Sequence, residues 1–84
     1  MNNVMLLRKY ISVTKVNDHT SHINISISDK IIPVMINNNI SKTIEKYCYP
    51  NDTIGIKGII YIKENNIIII VAEKISFLQN KRAD

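Results

Sequence analysis

Long apolar runs are missing from this 84-residue chain despite its wealth of isoleucine. The longest uninterrupted one, residues 67–72, falls far short of the roughly 20 residues that a membrane-crossing helix requires, and Lys63, Glu64, Glu73 and Lys74 bracket it closely. A spanning helix is therefore excluded. Cysteine is nearly absent as well. Cys48 stands alone, which excludes an internal disulfide framework and any CxxC metal or redox motif, and makes a reducing cytoplasm the expected compartment. Glycine is scarce, and "GIKG" has neither the length of a phosphate-binding loop nor the helix that should follow one. Asp18, Asp29, Glu45, Asp52, Glu64, Glu73 and Asp84 fall singly along the chain, without paired-carboxylate or nucleophile–base spacing, so no catalytic residues are assigned and an enzyme is not expected. "DHTSH" gathers Asp18, His19 and His22, but no fourth ligand lies near in sequence and Cys48 is remote; it reads as a turn. No metal, cofactor or small-molecule substrate is expected. The start of the chain lacks the charged flank, apolar core and small-residue cleavage site of a signal peptide and reads as mature, soluble protein.

What is present is β-branched sequence in quantity and a formal net charge of +4, which permits a polyanionic partner but is also compatible with an ordinary soluble surface. A chain of this length forms one domain and buries little more than about 60% of the surface its unfolded form exposes, so self-association would help it.

Residues 4–16 carry apolar side chains on both parities, as in a long strand with one face in the core and the other partly covered. Turn formers at 16–22 lead into "HINISIS", where Ile23, Ile25 and Ile27 alternate with Asn24, Ser26 and Ser28: a half-buried strand with its isoleucines inward. Asp29-Lys30 connects tightly to "IIPVMI", a third strand in which Pro33 has no N–H for the ladder and suggests an edge or bulge. "NNNISKTIEKYCYPN" then changes period. Ile40, Ile44 and Tyr47 or Cys48 recur at helical spacing, residues 37–39 offer N-caps and Pro50 cannot continue the helix. From Thr53 the period of two returns, with Gly58 fitting a bulge or bend, Glu64-Asn65-Asn66 turning the chain, and residues 67–78 running back as a last strand. Three strands, one short helix and two strands is the order of an all-β OB-fold, a five-stranded Greek-key barrel with its helix between strands 3 and 4. A ubiquitin-like sheet would expect its helix after the first hairpin. The barrel is assigned to residues 1–78 and a short polar end to 79–84.

Several segments resemble the bacterial single-stranded DNA-binding proteins (SSB). "MNNVMLLRKY" is similar to that family's first strand, "IEKYCYPNDTIGIKGII" to its helix, helix exit and following strand, and "IIIIVAEKISFL" to its Val-Val-Ala-Glu-x-Val-x-Phe-Leu ending. The resemblance implies an OB-fold, single-stranded DNA as partner and a role in DNA replication. There are also departures. Arg8 stands where the family has a glycine, Asn37 stands where it usually carries a base-stacking tryptophan, the hairpin at Glu64-Asn65-Asn66 is far shorter than the family's, and the acidic, Phe-terminated tail is absent. Because base–aromatic stacking is worth about 1–3 kcal/mol per base, the missing tryptophan implies weaker binding. The chain thus looks like a short, tail-less member of the kind that the primosome protein PriB represents.

Within the residues themselves, Lys57, Tyr61 and Lys63 share one face of the fourth strand, placing an aromatic platform between two phosphate-seeking ammonium groups. The competing reading is a solvated face with Tyr61 at a subunit contact. Arg8, Lys9, Tyr10 and Lys15 on the first strand would extend the groove, with Asn24, Ser26 and Ser28 as neutral hydrogen-bonders. Tyr47, at the helix position of the family tyrosine, and Phe77 read as core. The apolar surplus at Ile59 and residues 67–70 calls for a cover, so a homodimer or a complex with a replication protein is expected. The alternative function is an accessory subunit that docks on a polymerase, primase or helicase and binds little DNA alone.

Overall fold

The computed structural model describes residues 2–78; the polar end expected at 79–84 lies outside the described residues. Along the chain run β1 (Asn3–Lys15), β2 (Thr20–Ile27), β3 (Lys30–Asn37), α1 (Asn38–Tyr47), β4 (Thr53–Lys63), a single 3-10 turn (Glu64–Asn66) and β5 (Ile67–Phe77). The strands close into a barrel in the order β1-β2-β3-β5-β4. Neighbours are antiparallel except β3 and β5, which run parallel and meet at Val34↔Ile70 and Met35↔Val71. This is the OB-fold barrel that the order of elements predicts.

Alternation along each strand selects the interior. Ile23 and Ile25 of β2, Val34 and Ile36 of β3, Ile54 and Ile56 of β4, and Ile70 and Ala72 of β5 meet there with Tyr10 of β1 and Ile44 of α1. Each such isoleucine, fully removed from water, contributes about 1.5–3 kcal/mol. Asn37 caps α1, its Oδ1 accepting from the Ile40 N–H at 2.9 Å. The helix lays Ile40, Ile44 and Cys48 toward the barrel at intervals of four. That choice of face displaces Tyr47, which the spacing had suggested as core. It is half-exposed, with its ring 6.2 Å from that of Phe77 and Lys46 Nζ 5.4 Å from its centroid. Phe77 itself is partly buried against the core.

The β2–β3 loop is Ser28-Asp29, one residue earlier than the sequence suggests. Both residues have positive φ, 48° and 64°, the primed geometry whose twist suits a two-residue hairpin. Asn65 and Asn66 also take left-handed φ, 66° and 61°, at the Glu64–Asn66 turn. Pro33 lies in the half of β3 that precedes its contact with β5 and so has only β2 beside it in register. Two irregularities bend the barrel. In β1 the register with β2 slips between Tyr10 and Ser12, leaving Ile11 unpaired there. In the β4–β5 pair it slips between Lys57 and Gly58, and the extra residue is Glu73 on β5. Gly58 is the glycine that closeness requires, since a Cβ on it would lie 2.3 Å from the Val71 carbonyl oxygen.

The outer face of β1 is less covered than its apolar residues suggest, with Met5 78% and Leu7 63% exposed. At the other end of the sheet, Ile62 and Ile68 pair on the core-facing parity yet are exposed, because the β4–β5 hairpin runs past the barrel in a molecule measuring 47 × 29 × 24 Å.

Candidate nucleic-acid interface

The outward side chains of β4 are Lys57, Ile59, Tyr61 and Lys63, alternating with Ile56, Gly58 and Ile60, which turn inward. At about 3.4 Å per residue, Tyr61 lies about 14 Å along the strand from Lys57 and about 7 Å from Lys63. Tyr61 is 50% exposed, and the strand sets it opposite Ile69 of β5. An exposed aromatic ring flanked by ammonium groups is what sequence-tolerant single-strand binding uses: every base has a π-face and every nucleotide a phosphate.

The other residues expected in this groove separate into distinct places. Lys9 is on the same sheet, opposite Thr53, and faces outward. Arg8 falls on the core-facing parity but is exposed; with Leu7, Lys9, Ser26, Ser28, Asp29 and Thr53 it lines a shallow hollow of about 400 Å³. Lys15 is at the far end of β1, where its Nζ lies 4.0 Å from Asp18 Oδ1. Both of those side chains are largely exposed, so the pair contributes little. Tyr10 is a correction to the sequence reading: it is 5% exposed and part of the core, because β1 turns that parity inward beside Ile25. Burial, followed by the Glu45 carboxylate and Cys48, pushes its phenol pKa above 10.0. It has no face to offer a base. Asn24 is spent within the sheet, donating from Nδ2 to Ser12 Oγ and Thr14 Oγ1, each at 3.0 Å.

Sequence reasoning missed Lys74, which sits directly opposite Lys57 on β5. Gly58 marks an irregularity at this point of β4, but nothing in the sequence says which residue of β5 becomes the extra one and so which lysine meets Lys57. Tyr49, left unassigned from sequence, is exposed, its N–H donating to Asp52 Oδ2 at 2.9 Å. The "DHTSH" turn is held by Asn17, whose Oδ1 accepts from the N–H groups of His19 and Thr20, each at 2.8 Å. Among the described residues, no group of three or more His, Cys, Asp or Glu side chains is placed to hold a metal. No helix among them is long and apolar enough to cross a membrane.

No family model matches the chain, and no curated protein matches it either. Among solved structures it is similar to the SSB domain of a protein from Synechococcus sp., with 11% sequence identity, a TM-score of 0.61, and alignment over 90% of this chain and 94% of that one. That likeness shows a shared fold, the OB-fold barrel with its helix between the third and fourth strands.

Proposed function

We propose that the protein binds single-stranded DNA without sequence preference across the outward face of β4, and that it serves DNA replication in the cytoplasm as a small, PriB-like relative of the SSB proteins. The observation that carries this reading is the half-exposed Tyr61 standing between Lys57 and Lys63 on one face of one strand. Lys9 extends the positive charge along β1. The likeness to an SSB domain supports the same reading through the fold. The binding would come from backbone electrostatics plus one stacking platform, the latter worth about 1–3 kcal/mol. With two to four phosphates neutralised, log K should fall with log salt at a slope of about −1.4 to −2.8 for a single strand.

The test is fluorescence anisotropy with a labelled oligo-dT at a series of salt concentrations, with duplex of equal length as control. Tight, salt-dependent binding that prefers the single strand supports the proposal. Binding no stronger than millimolar overturns it.

A second reading is favoured by a different observation. Met5, Leu7 and Leu78 are exposed beside Gly55 and Ser76 around an apolar hollow of about 350 Å³. In this reading the barrel is an accessory subunit, covered there by a replication enzyme or by a second copy, and absent oligo-dT binding is its expected signature.

A further inference from the structure

β4 and β5 hold one register through Ile59↔Val71 and Gly58↔Ala72, and another through Lys57↔Lys74 and Ile56↔Ile75. Continuing the first register by one step would set Lys57 opposite Glu73, an ordinary pair of opposite charges on an exposed sheet face. The slip removes that pairing. Glu73 becomes the extra residue of the bulge, and the register partner of Lys57 is Lys74. Directly opposed residues of an antiparallel pair lie only about 4.5–5.5 Å apart at Cα, and like charges at such positions destabilise a sheet. Among the described residues no carboxylate lies within 4.0 Å of either ammonium group. The neighbour of Lys57 on the other side is Met5, and among the described residues the ion pair formed within 4.0 Å is Lys15–Asp18. Gly58 fixes the irregularity in place, because its missing side chain lets the Val71 carbonyl come close where the register changes. A local rule is thus broken at an exposed site, with no ion pair to either lysine among the described residues, on the same face as Tyr61.

We propose that Lys57 and Lys74 together hold one backbone phosphate of the single strand, which crosses the sheet at the bulge while a base stacks on Tyr61. This rests on the single-strand-binding reading above and adds Lys74 to it, together with the stoichiometry of two ammonium groups per phosphate.

The experiment follows oligo-dT anisotropy against salt for the wild type, Lys57→Gln, Lys74→Gln, the double variant, Lys74→Arg, and Lys42→Gln on α1 as a charge control. Each single Gln variant should weaken binding roughly 5-fold at low salt. The double variant should flatten the salt slope by about 0.7, the loss of one single-strand phosphate, where two separate contacts would give about 1.4. Lys74→Arg should retain the slope, and Lys42→Gln should bind as the wild type does. Without DNA, Lys74→Gln should raise Tm by about 1–5 °C through relief of the like-charge pair, and the rise should vanish in 1 M salt, where the Debye length is about 3 Å. Wild-type affinity in both Gln variants, or a slope change of about 1.4 in the double variant, overturns the shared phosphate while leaving single-strand binding intact. A wild type that ignores oligo-dT overturns both.

Discussion

Replacing Gly58 with alanine tests the architecture that positions the whole face. A Cβ on Gly58 would lie 2.3 Å from the Val71 oxygen, 3.1 Å from the Val71 carbonyl carbon and 3.2 Å from Ala72 Cα. All three are backbone atoms, so no side chain can rotate away, and β4 and β5 must part by about 1 Å to reach ordinary contact near 3.5 Å. Ladder hydrogen bonds near 2.9 Å do not survive that separation. Losing one or two of them, at about 1 kcal/mol net each, adds to an overpacking cost of about 1–3 kcal/mol. Gly58→Ala should therefore destabilise the barrel by about 2–5 kcal/mol, lowering Tm by at least about 8 °C in a domain of this size. Gly55, three residues away on the same strand, is the control. Its added Cβ would meet Leu7 Cδ2 and Ser76 Cβ at 3.5 Å, ordinary contacts, and alanine would regain the roughly 0.5–1 kcal/mol that glycine loses inside a strand. Thermal and urea unfolding of both variants, followed by circular dichroism, reads the difference. A Gly58→Ala protein melting within about 4 °C of wild type, a cost of no more than about 1 kcal/mol, would refute the reasoning.

Tyr61→Ala should weaken oligo-dT binding about 5- to 150-fold, the equivalent of 1–3 kcal/mol, with little change in Tm; Tyr47→Ala should weaken it less, and equal effects would remove Tyr61 from its role. Asn37→Ala deletes the acceptor for the Ile40 N–H and should cost about 1 kcal/mol of unfolding free energy, whereas Asn37→Asp, which keeps an acceptor oxygen, should restore most of it in the same urea titration. Burial holds the Tyr10 phenol pKa above its ordinary value, so the folded chain keeps this proton after the unfolded chain has released it. The associated stability is complete below about pH 10 and is lost as pH rises through the folded-state pKa. Tyr10→Phe should accordingly lose less stability than wild type between about pH 9 and 11, and parallel stability curves for the two proteins would contradict the burial argument.

The sequence alone made the barrel legible because its main signals are local and mutually consistent. Ile23, Ile25 and Ile27 alternate cleanly, Ile40 and Ile44 change the period once, and the asparagines sit where the chain turns. The Lys57, Tyr61, Lys63 alignment was equally legible, since β4 itself carries no extra residue and its parity runs unbroken. What depends on neighbouring strands was not. Gly58 marked a bulge in sequence, but that the extra residue is Glu73, so that Lys57 meets Lys74, is encoded by no composition or period. Tyr10 shows the same limit from the other side. Residues 4–16 are apolar on both parities, so the alternation that would have identified its inward face is blurred, and the bulge at Ile11 then reverses the parity partway along the strand. Tyr47 was misplaced because Tyr47 and Cys48 fit the helical spacing equally well, and only the packing of Ile40 and Ile44 selects Cys48.

The parallel meeting of β3 and β5 gives the barrel a seam. The β1-β2-β3 meander and the β4–β5 hairpin are each stitched by short turns, whereas Val34 reaches Ile70 only after α1, β4 and the hairpin turn have been ordered. Loop-closure entropy is thus spent before this short, slanted ladder returns anything. The seam should zip last and part first, even though Val34 and Ile70 are buried. Amide hydrogen exchange should expose that order as rapid exchange at residues 34–35 and 70–71 set against slow exchange along β2. Burial and backbone protection then separate at one line in the molecule, and during each opening β3 and β5 become bare edges on which another chain can pair.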